Sequence, residues 1–336
     1  MLRLETRSPV SGSNGRQDAT CAPGGIMKGM RPTIAGIGIS HPDRIMFPRA
    51  GLTKLDLARY YESVADWIVP HVVDRPLTLV RCPTGVREKD AASTKSPDCF
   101  FMKHSKLWAP PSLRRVRIRE KTKIGEYLIA DSLAGVVGLV QMDVLEIHTW
   151  NSRCARVEQP DRIVIDLDPG QDVGWAAVVR AARFVREFFG AMELDTFVKT
   201  TGGRGLHVVV PLVPKADWSE CLAFARAFAA SVVRLSPALF TDQFAKIGRE
   251  RKILVDYLRN NRTNTSIAAY STRAKPDAQV SVPLAWPELS PAKPPDRFTA
   301  VTVPQRLARL GSDPWKKYWT TRQQIPRGAV RALETL

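Results

Sequence analysis

The sequence predicts a mixed α/β fold, with central mixed sheets flanked by helices. Apolar, β-branched runs that end at Gly or Pro are interspersed with segments of helical periodicity, without the strict alternation of a wound parallel sheet. The chain has 336 residues, of which 44% are hydrophobic, so it can bury a sizeable core. No internal repeat is evident in the sequence.

The first predicted elements follow from caps and periodicity. A helical pattern runs from Thr53 to Val69, and Asp56 completes a capping box with Thr53. The stretch RPLTLVRCP is typical of a strand, and SLAGVVGLVQMDVLEIH is predicted as a helix. RIVIDLDPG then indicates a buried strand that ends at Pro169-Gly170.

The later elements follow from the same signals. Residues 174–189 have helical periodicity, and FVKTTGGRGLHVVVPL predicts a strand, a glycine turn and a second strand. Asp217 and Glu220 open a helix that extends to Arg234, and RKILVDYLRN is a further apolar strand.

The domain organisation follows from composition. We expect a disordered polar leader at 1–35, one main domain at 36–310, and a basic, helical C-terminal tail at 311–336 that packs on the domain or is flexible. The leader lacks the continuous apolar core of a signal peptide.

Charge limits the classes of partner. Lys and Arg number 50 against 33 Asp and Glu, which gives a net charge of +17 and is expected of a protein that meets a polyanion. A membrane partner is not expected, because the most apolar stretch, Leu133 to Leu145, is shorter than the roughly 20 residues that a span needs. It also carries Gln141 and Asp143.

Cysteine spacing bears on metal sites and compartment. The five cysteines are far apart, with no C-x-x-C and no histidine at zinc-ligand spacing. We therefore predict reduced thiols, a cytoplasmic location and no zinc site.

Two aspartates stand one residue apart at the end of RIVIDLDPG. Side chains alternate along a strand, so Asp166 and Asp168 point to one face with Cα atoms about 7 Å apart. Two anions on one face favour a metal site, with surface acids in a turn as the alternative. Asp256 lies in a second apolar strand, where alternation could also turn it to solvent. Three converging carboxylates would hold two divalent ions, the arrangement used in nucleotidyl transfer.

The segment TTGGRGLHVVV has the composition of a phosphate-binding loop. Its three glycines let backbone N–H groups approach a phosphate, and Arg204 and His207 add donors, while a plain tight hairpin is the alternative. The Walker A and G-x-G-x-x-G patterns are absent, and we expect no nicotinamide or flavin. Four arginines flank Asp256 and add charge for a triphosphate: Arg249, Arg259, Arg262 and Arg273.

Several stretches, in their order along the chain, resemble the polymerase domain of bacterial DNA ligase D, a member of the archaeo-eukaryotic primase superfamily. They are HPDRIMFP, LTKLDLARYYESVADW, VRCPTGV, CFFMKH, LEIHTW, DLDPG, KTTGGRGLHVVVPL, VDYLRN and AAYSTRAKPDAQVSVPLAWPEL. The resemblance implies a primase-polymerase fold and catalytic domain in 36–310.

The resemblance also implies an activity and partners. The implied activity is that of a template-directed, primer-extending polymerase that fills gaps and processes ends in non-homologous end joining. It prefers ribonucleotides, uses Mn²⁺ or Mg²⁺, and acts on DNA with 5′-phosphorylated gaps or ends, with Ku and a DNA ligase as partners. A nucleoid-associated, cytoplasmic location follows.

The resemblance assigns roles at matching positions. Asp166, Asp168 and Asp256 match the metal-binding triad. The positions that match nucleotide-binding residues are His148, Thr201, Arg204, His207, Arg249 and Arg273, although the family more often has Ser and Lys in the triphosphate loop. The positions that match DNA-binding residues are Phe100 and Phe101, which stack on template bases, Arg44 and Lys54, which grip a 5′-phosphate, and Lys103.

Other functions explain less of the sequence. A phosphatase could use the D-x-D pair, but the downstream acidic pair of that class is absent. A glycosyltransferase would leave the net charge unexplained, and a non-catalytic DNA-end-binding module would leave the three strand acids unexplained. No K-x-D-G ligase motif is present, so the sequence is that of a stand-alone polymerase or of one domain of a longer protein.

Overall fold

The computed structural model describes residues 31–88, 98–105, 108–245 and 247–336. Residues 1–30 of the predicted leader lie outside the described residues. The α-helices are Lys54–Ser63 (α1), Ala65–Val72 (α2), Leu133–Gln141 (α3), Trp175–Gly190 (α4), Trp218–Leu235 (α5), Thr302–Arg309 (α6) and Ala329–Thr335 (α7). Short 3₁₀ segments are Cys154–Arg156, Leu258–Asn260, Trp286–Glu288, Pro295–Arg297 and Lys316–Trp319.

The strands of the described residues are between two and eight residues long. They are Thr33–Ile34 (β1), Ile37–Gly38 (β2), Ile45–Phe47 (β3), Leu52–Thr53 (β4), Leu77–Arg81 (β5), Phe100–Met102 (β6), Arg114–Arg119 (β7), Ile124–Ile129 (β8), Val144–Thr149 (β9), Arg162–Pro169 (β10), Phe197–Thr200 (β11), Leu206–Pro211 (β12), Phe240–Thr241 (β13), Ile253–Asp256 (β14), Ser266–Ile267 (β15) and Pro283–Leu284 (β16).

A six-stranded sheet in the order β13-β14-β10-β12-β11-β16 forms the centre of the fold. Strand β10 pairs antiparallel with β14 on one side and β12 on the other, whereas β13 and β14 are parallel. Ile163, Ile165 and Leu167 of β10 belong to the main core, with helices α4 and α5 packed on that side. The alternate residues of β10 face the opposite side, which carries the polar site. The predicted mixed α/β fold is confirmed.

A four-stranded sheet in the order β15-β9-β5-β6 lies beside the centre. Strand β9 pairs with both β5 and β15, and β6 forms an edge against β5. The edge position of β6 leaves the predicted aromatic pair on one border of this sheet.

Most predicted elements are confirmed, and two need correction. The capping boxes at Thr53 and Asp217 are present. The helix predicted from Thr53 to Val69 is instead two helices, which meet at Val64. The helix predicted over LEIH is wrong, because α3 ends at Gln141 and a turn with Asp143 at φ 62° leads into β9.

The prediction of reduced thiols is wrong for Cys82 and Cys99, which form a disulfide. The pairing follows from the return of β6 alongside β5, which brings the two cysteines together across 17 residues of sequence. Cys154 and Cys221 are free, and Cys21 lies outside the described residues.

The C-terminal segment 311–336 packs on the domain. Trp315 and Tyr318 are buried against Val164 and Val209, on the sheet face opposite α4 and α5. Helix α7 packs on α5, where Ser231 donates a hydrogen bond to the carbonyl of Leu333 at 2.7 Å. Among the described residues, no helix combines the length and apolarity needed to cross a bilayer.

Candidate active site

A row of polar side chains crosses four adjacent strands of the central sheet. Asp256 lies opposite Asp166, Asp166 opposite His207, and His207 opposite Lys199. Residues directly opposite each other share a sheet face, so the four side chains project on the same side. Asp168, two residues beyond Asp166, faces that side as well. The predicted convergence of the three aspartates is therefore a consequence of strand register.

Two arginines contact the three carboxylates. Arg259 Nε lies 3.1 Å from Asp166 Oδ2 and 3.2 Å from Asp256 Oδ2, so one guanidinium spans the opposed pair. Arg249 Nη2 lies 3.1 Å from Asp168 Oδ2. Asp166 and Asp256 are buried, while Asp168 is exposed.

Burial and the neighbouring charges shift the pKa values of the three aspartates in different directions. Burial raises the pKa of Asp256 to about 6, and repulsion from Asp166 and Asp168 adds to the effect against the attraction of Arg259. Partial desolvation by the surrounding protein and the neighbouring Asp166 also raise the pKa of Asp168, although its side chain reaches solvent. Burial opposes ionisation of Asp166 too, but contacts with His207 and Arg259 hold its pKa below the usual range.

The donor set suits a hard divalent cation. Carboxylate oxygens are the ligands that Mg²⁺ and Mn²⁺ prefer, and Asp166, Asp168 and Asp256 present such oxygens on one sheet face. Across the residues that the structure describes, no group of three or more carboxylate, imidazole or thiolate ligands is already arranged around a metal position. The arginines contact the carboxylates instead.

The glycine turn between β11 and β12 lies close to β10 and Arg273. Gly202 has φ +66°, and a Cβ there would lie 2.6 Å from Cγ of Arg273. Thr201 Oγ1 accepts a hydrogen bond from the Gly203 N–H at 3.2 Å and so shapes the turn. A Cβ at Gly205 would lie 2.4 Å from the Leu167 carbonyl oxygen. Only glycine fits these close approaches.

Arg204 and His207 occupy different surroundings. Arg204 is exposed and donates to the carbonyls of Gln171 and Val173 at 3.0 and 2.8 Å, neutral partners that leave its charge uncompensated. His207 is buried 3.4 Å from Asp166 Oδ2, and its Nδ1 has no hydrogen-bond partner. Burial lowers the pKa of His207 to about 4, so the ring is neutral at neutral pH.

Glu146 links three of the predicted nucleotide-binding residues, and the sequence interpretation missed it. Its carboxylate lies 2.8 Å from His148 Nε2 and 3.0 Å from Arg273 Nε. Arg273 also donates to the Thr201 carbonyl at 2.8 Å. Alternation along the strand places Glu146 on the same face as His148, which is the signal that could have found it.

Lys199 is a second residue of the site that the sequence interpretation did not predict. Its buried ammonium donates to Ser281 Oγ at 2.6 Å and completes the row of polar residues next to His207. Burial and the nearby Arg162 lower the pKa of Lys199 well below its usual value.

Three cations surround Asp143 at the start of β9. Lys54 Nζ lies 2.7 Å from Asp143 Oδ1, Arg44 Nη1 lies 3.4 Å from the same atom, and Arg81 Nη2 lies 3.8 Å from Oδ2. Lys54 is the first residue of α1 and is 1% exposed, so burial lowers its pKa. The cluster keeps an excess of positive charge beyond its single acid. Arg81 and Asp143 were not predicted.

The aromatic pair on β6 is open to solvent. Phe100 is 45% exposed and Phe101 is 64% exposed. The Arg81 guanidinium lies 5.9 Å from the centroid of the Phe100 ring, and the Phe101 ring lies 6.0 Å from that of His148. Lys103 Nζ, by contrast, lies 3.4 Å from Glu120. The two rings thus connect the cation cluster with the nucleotide-binding group.

Comparisons with known proteins identify the family of the chain. Residues 53–315 match the family model for the LigD primase-polymerase domain. The chain is 36% identical over 304 residues to the multifunctional non-homologous end joining protein LigD of Pseudomonas aeruginosa, covering 90% of this chain and 35% of that protein. It is 26% identical over 311 residues to the bifunctional LigD of Bacillus subtilis, covering 92% of this chain and 48% of that protein.

A solved structure is similar as well. The polymerase domain of Mycobacterium tuberculosis ligase D, in complex with DNA, matches with a TM-score of 0.74 at 31% identity over 82% of this chain and 96% of that one. The chain spans between about a third and a half of the length of these curated relatives. The match of most of its length shows that the chain belongs to the LigD primase-polymerase family.

Proposed function

We propose that the chain is a nucleotidyltransferase that extends a primer along a template and fills gaps at broken DNA ends in non-homologous end joining. The observation that carries this proposal is the register that places Asp166, Asp168 and Asp256 on one sheet face beside the glycine turn. Membership of the family supports it, as does the DNA complex of the related domain.

The three aspartates would hold two divalent ions, Mn²⁺ or Mg²⁺, which supply charge stabilisation for the attacking and leaving oxygens. The residues around them would bind and orient the nucleotide. Arg249 contacts Asp168 and Arg273 contacts the Thr201 carbonyl in the glycine turn, and their guanidinium groups suit phosphate oxygens. His207 is neutral and buried, so it can donate or accept a hydrogen bond without adding charge.

The DNA would lie across the aromatic pair and the cation cluster. Exposed rings stack on bases without sequence preference, which suits Phe100 and Phe101 to a template strand. The excess charge of Arg44, Lys54 and Arg81 suits a 5′-phosphate. Ku, a DNA ligase and a preference for ribonucleotides are proposed on family membership.

Primer extension on gapped DNA tests the proposal. The purified chain is given DNA with a 5′-phosphorylated gap, with each of Mn²⁺, Mg²⁺ and EDTA, and with ribonucleotides or deoxyribonucleotides. We expect template-matched additions that need a divalent ion and are faster with ribonucleotides. DNA binding without any addition would instead support an end-binding module, and additions that ignore the template would contradict the polymerase assignment.

A further inference from the structure

A cavity of about 410 Å³ lies away from the carboxylates, at the opposite end of β10. Asp161 lines it just before β10 begins, and Pro211 lines it where β12 ends. Asp166 is four residues along β10 from Arg162, or about 13 Å at the rise of a strand. The cavity is therefore separate from the proposed polymerase site. Its size falls in the range of small-molecule pockets, roughly 300–1,000 Å³.

The lining carries more positive than negative charge. Its charged residues are Arg75, Arg153, Arg156, Arg322 and Asp161. Arg75 makes a two-point contact with Asp161, at 2.8 and 2.6 Å, and Arg153 lies 3.4 Å from the same carboxylate. Two of the four arginines thus share the single acid, and the other two add further positive charge.

Arg156 and Arg322 have no acidic partner in the part of the chain that the structure describes. Arg156 donates to the Pro214 carbonyl at 3.3 Å, and Arg322 donates to the carbonyls of Trp319 and Thr321 at 3.0 and 3.1 Å. Carbonyl partners leave the guanidinium charges uncompensated. Both arginines are exposed, so they are free to turn toward a ligand.

Two buried basic groups lie at the cavity or against its wall. Arg75, whose side chain is 2% exposed, has an Nε atom without a hydrogen-bond partner. The His71 ring lies tilted against that of Trp319, with the ring centroids 4.8 Å apart, and burial together with Arg162 and Arg75 lowers the pKa of His71 well below the usual value. A ligand that enters here is favoured if it brings negative charge.

Most of the remaining lining is aromatic or apolar. It includes Tyr318, Trp319 and residues 211–214, Pro-Leu-Val-Pro, together with Ala155 and the polar residues Gln159 and Thr321. A bare inorganic anion would use the arginines and leave this wall without a partner. An anionic group joined to a flat ring uses both parts, because guanidinium groups bind phosphate and indole stacks on a base.

We propose that this cavity binds a nucleotide, with its phosphate on Arg156 and Arg322 and its base against Trp319. The nucleotide can be free or the 5′-terminal residue of a strand, since both present the same phosphate and base. This second site goes beyond the proposed polymerase function and does not depend on it.

Calorimetric titration with AMP in EDTA tests the inference on the full chain. The double variant Arg156→Glu/Arg322→Glu reverses both exposed charges, and Arg309→Glu/Arg331→Glu makes the same change in net charge outside the cavity. We expect the cavity variant to bind AMP at least about tenfold more weakly than the wild type and the control variant. Adenosine, which lacks the phosphate, should not bind detectably.

Two further measurements separate this site from the polymerase site and identify the source of the nucleotide. Primer extension by the cavity variant at saturating nucleotide should match the wild type. A 5′-phosphorylated trinucleotide that competes with AMP supports a strand end, and AMP binding without such competition supports the free nucleotide. Absence of AMP binding in the wild type, equal AMP binding in the cavity variant, or loss of extension in parallel with AMP binding would each overturn the proposal.

Discussion

Asp166 and Asp256 lie directly opposite each other on adjacent antiparallel strands, and the guanidinium of Arg259 contacts both. Like charges in a cross-strand pair repel, and burial strengthens the effect. The pKa of Asp256 is raised to about 6 even with Arg259 present. The fold therefore keeps two carboxylates together at a cost in stability, as expected of a site that works with a bound cation.

Replacement of Asp256 by Asn should abolish nucleotide addition. Asn keeps the shape of the side chain but removes one of the charges that would hold a divalent ion, so we expect extension at about 1% of the wild-type rate or less. DNA affinity, measured by fluorescence anisotropy, should remain, because Lys and Arg make most phosphate contacts. The control is Asp172→Asn, an exposed acid nearby. Retention of more than a few per cent activity in Asp256→Asn would exclude this residue from the metal site.

The same Asp256→Asn variant should stabilise the metal-free protein at neutral pH. The folded-state pKa of about 6 lies above the unfolded value near 4, so the native protein holds the proton more tightly than the unfolded chain. The stability contributed by the protonated Asp256 is present below pH 4 and is lost as pH rises through 6. In EDTA at pH 7.5, denaturant melts should give the variant a free energy of unfolding about 2 kcal/mol higher than that of the wild type. This difference should disappear at pH 4. An equal difference at both pH values would mean that the effect comes from packing.

Replacement of Glu146 by Gln should weaken nucleotide binding through His148 and Arg273. Loss of the carboxylate charge frees both side chains from their common partner. Loss of a supporting contact of this kind typically lowers affinity or activity by about 10–100-fold. We expect the KM for nucleotide to rise by about tenfold, with DNA affinity unchanged. Glu158→Gln, which breaks the exposed pair with Arg262, serves as the control. A uniform fall in DNA and nucleotide affinity with a lower melting temperature would mean that Glu146 serves the fold only.

Replacement of Arg44 by Ala should remove a preference for 5′-phosphorylated gaps. Lys54 is less suitable for this test, because it is buried against Asp143 and its loss would also destabilise the fold. A charge-assisted phosphate contact is worth roughly 1.5–3 kcal/mol. The ratio of the extension rate on 5′-phosphorylated gaps to that on 5′-hydroxyl gaps should therefore fall by about tenfold. Arg49→Ala, which breaks an exposed pair with Asp277, should keep the preference. An unchanged preference in Arg44→Ala would contradict the assignment of Arg44 to the 5′-phosphate.

Replacement of Phe101 by Ala should reduce templated extension without loss of stability. The ring is 64% exposed, so its removal leaves little cavity and the melting temperature should change by no more than about 2 °C. Stacking on a base is worth about 1–3 kcal/mol, which corresponds to a fall of about five- to a hundredfold in extension. Phe101→Leu keeps apolar area without the flat ring and should show most of the loss. Full activity of both variants would rule out template stacking by Phe101.

Local sequence signals predicted much of the fold and part of the site. The capping boxes at Thr53 and Asp217, the strand that ends in Asp166 and Asp168, and the glycine turn at Gly202 follow from interactions within a few residues. Such interactions are readable from one sequence, because the partners are neighbours in the chain. Where apolar content was the only signal, as in β9, helix and strand could not be told apart.

The sequence by itself determined the D-x-D strand, the glycine turn and the family resemblance that assigned their roles. Only the tertiary structure decided the partners: Asp256 opposite Asp166, Glu146 between His148 and Arg273, and Asp143 among three cations. It also decided the disulfide between Cys82 and Cys99 and the basic cavity at the start of β10. The physical reason is that strand register and long-range packing join residues tens to hundreds of positions apart, and one sequence holds no local signal for those distances.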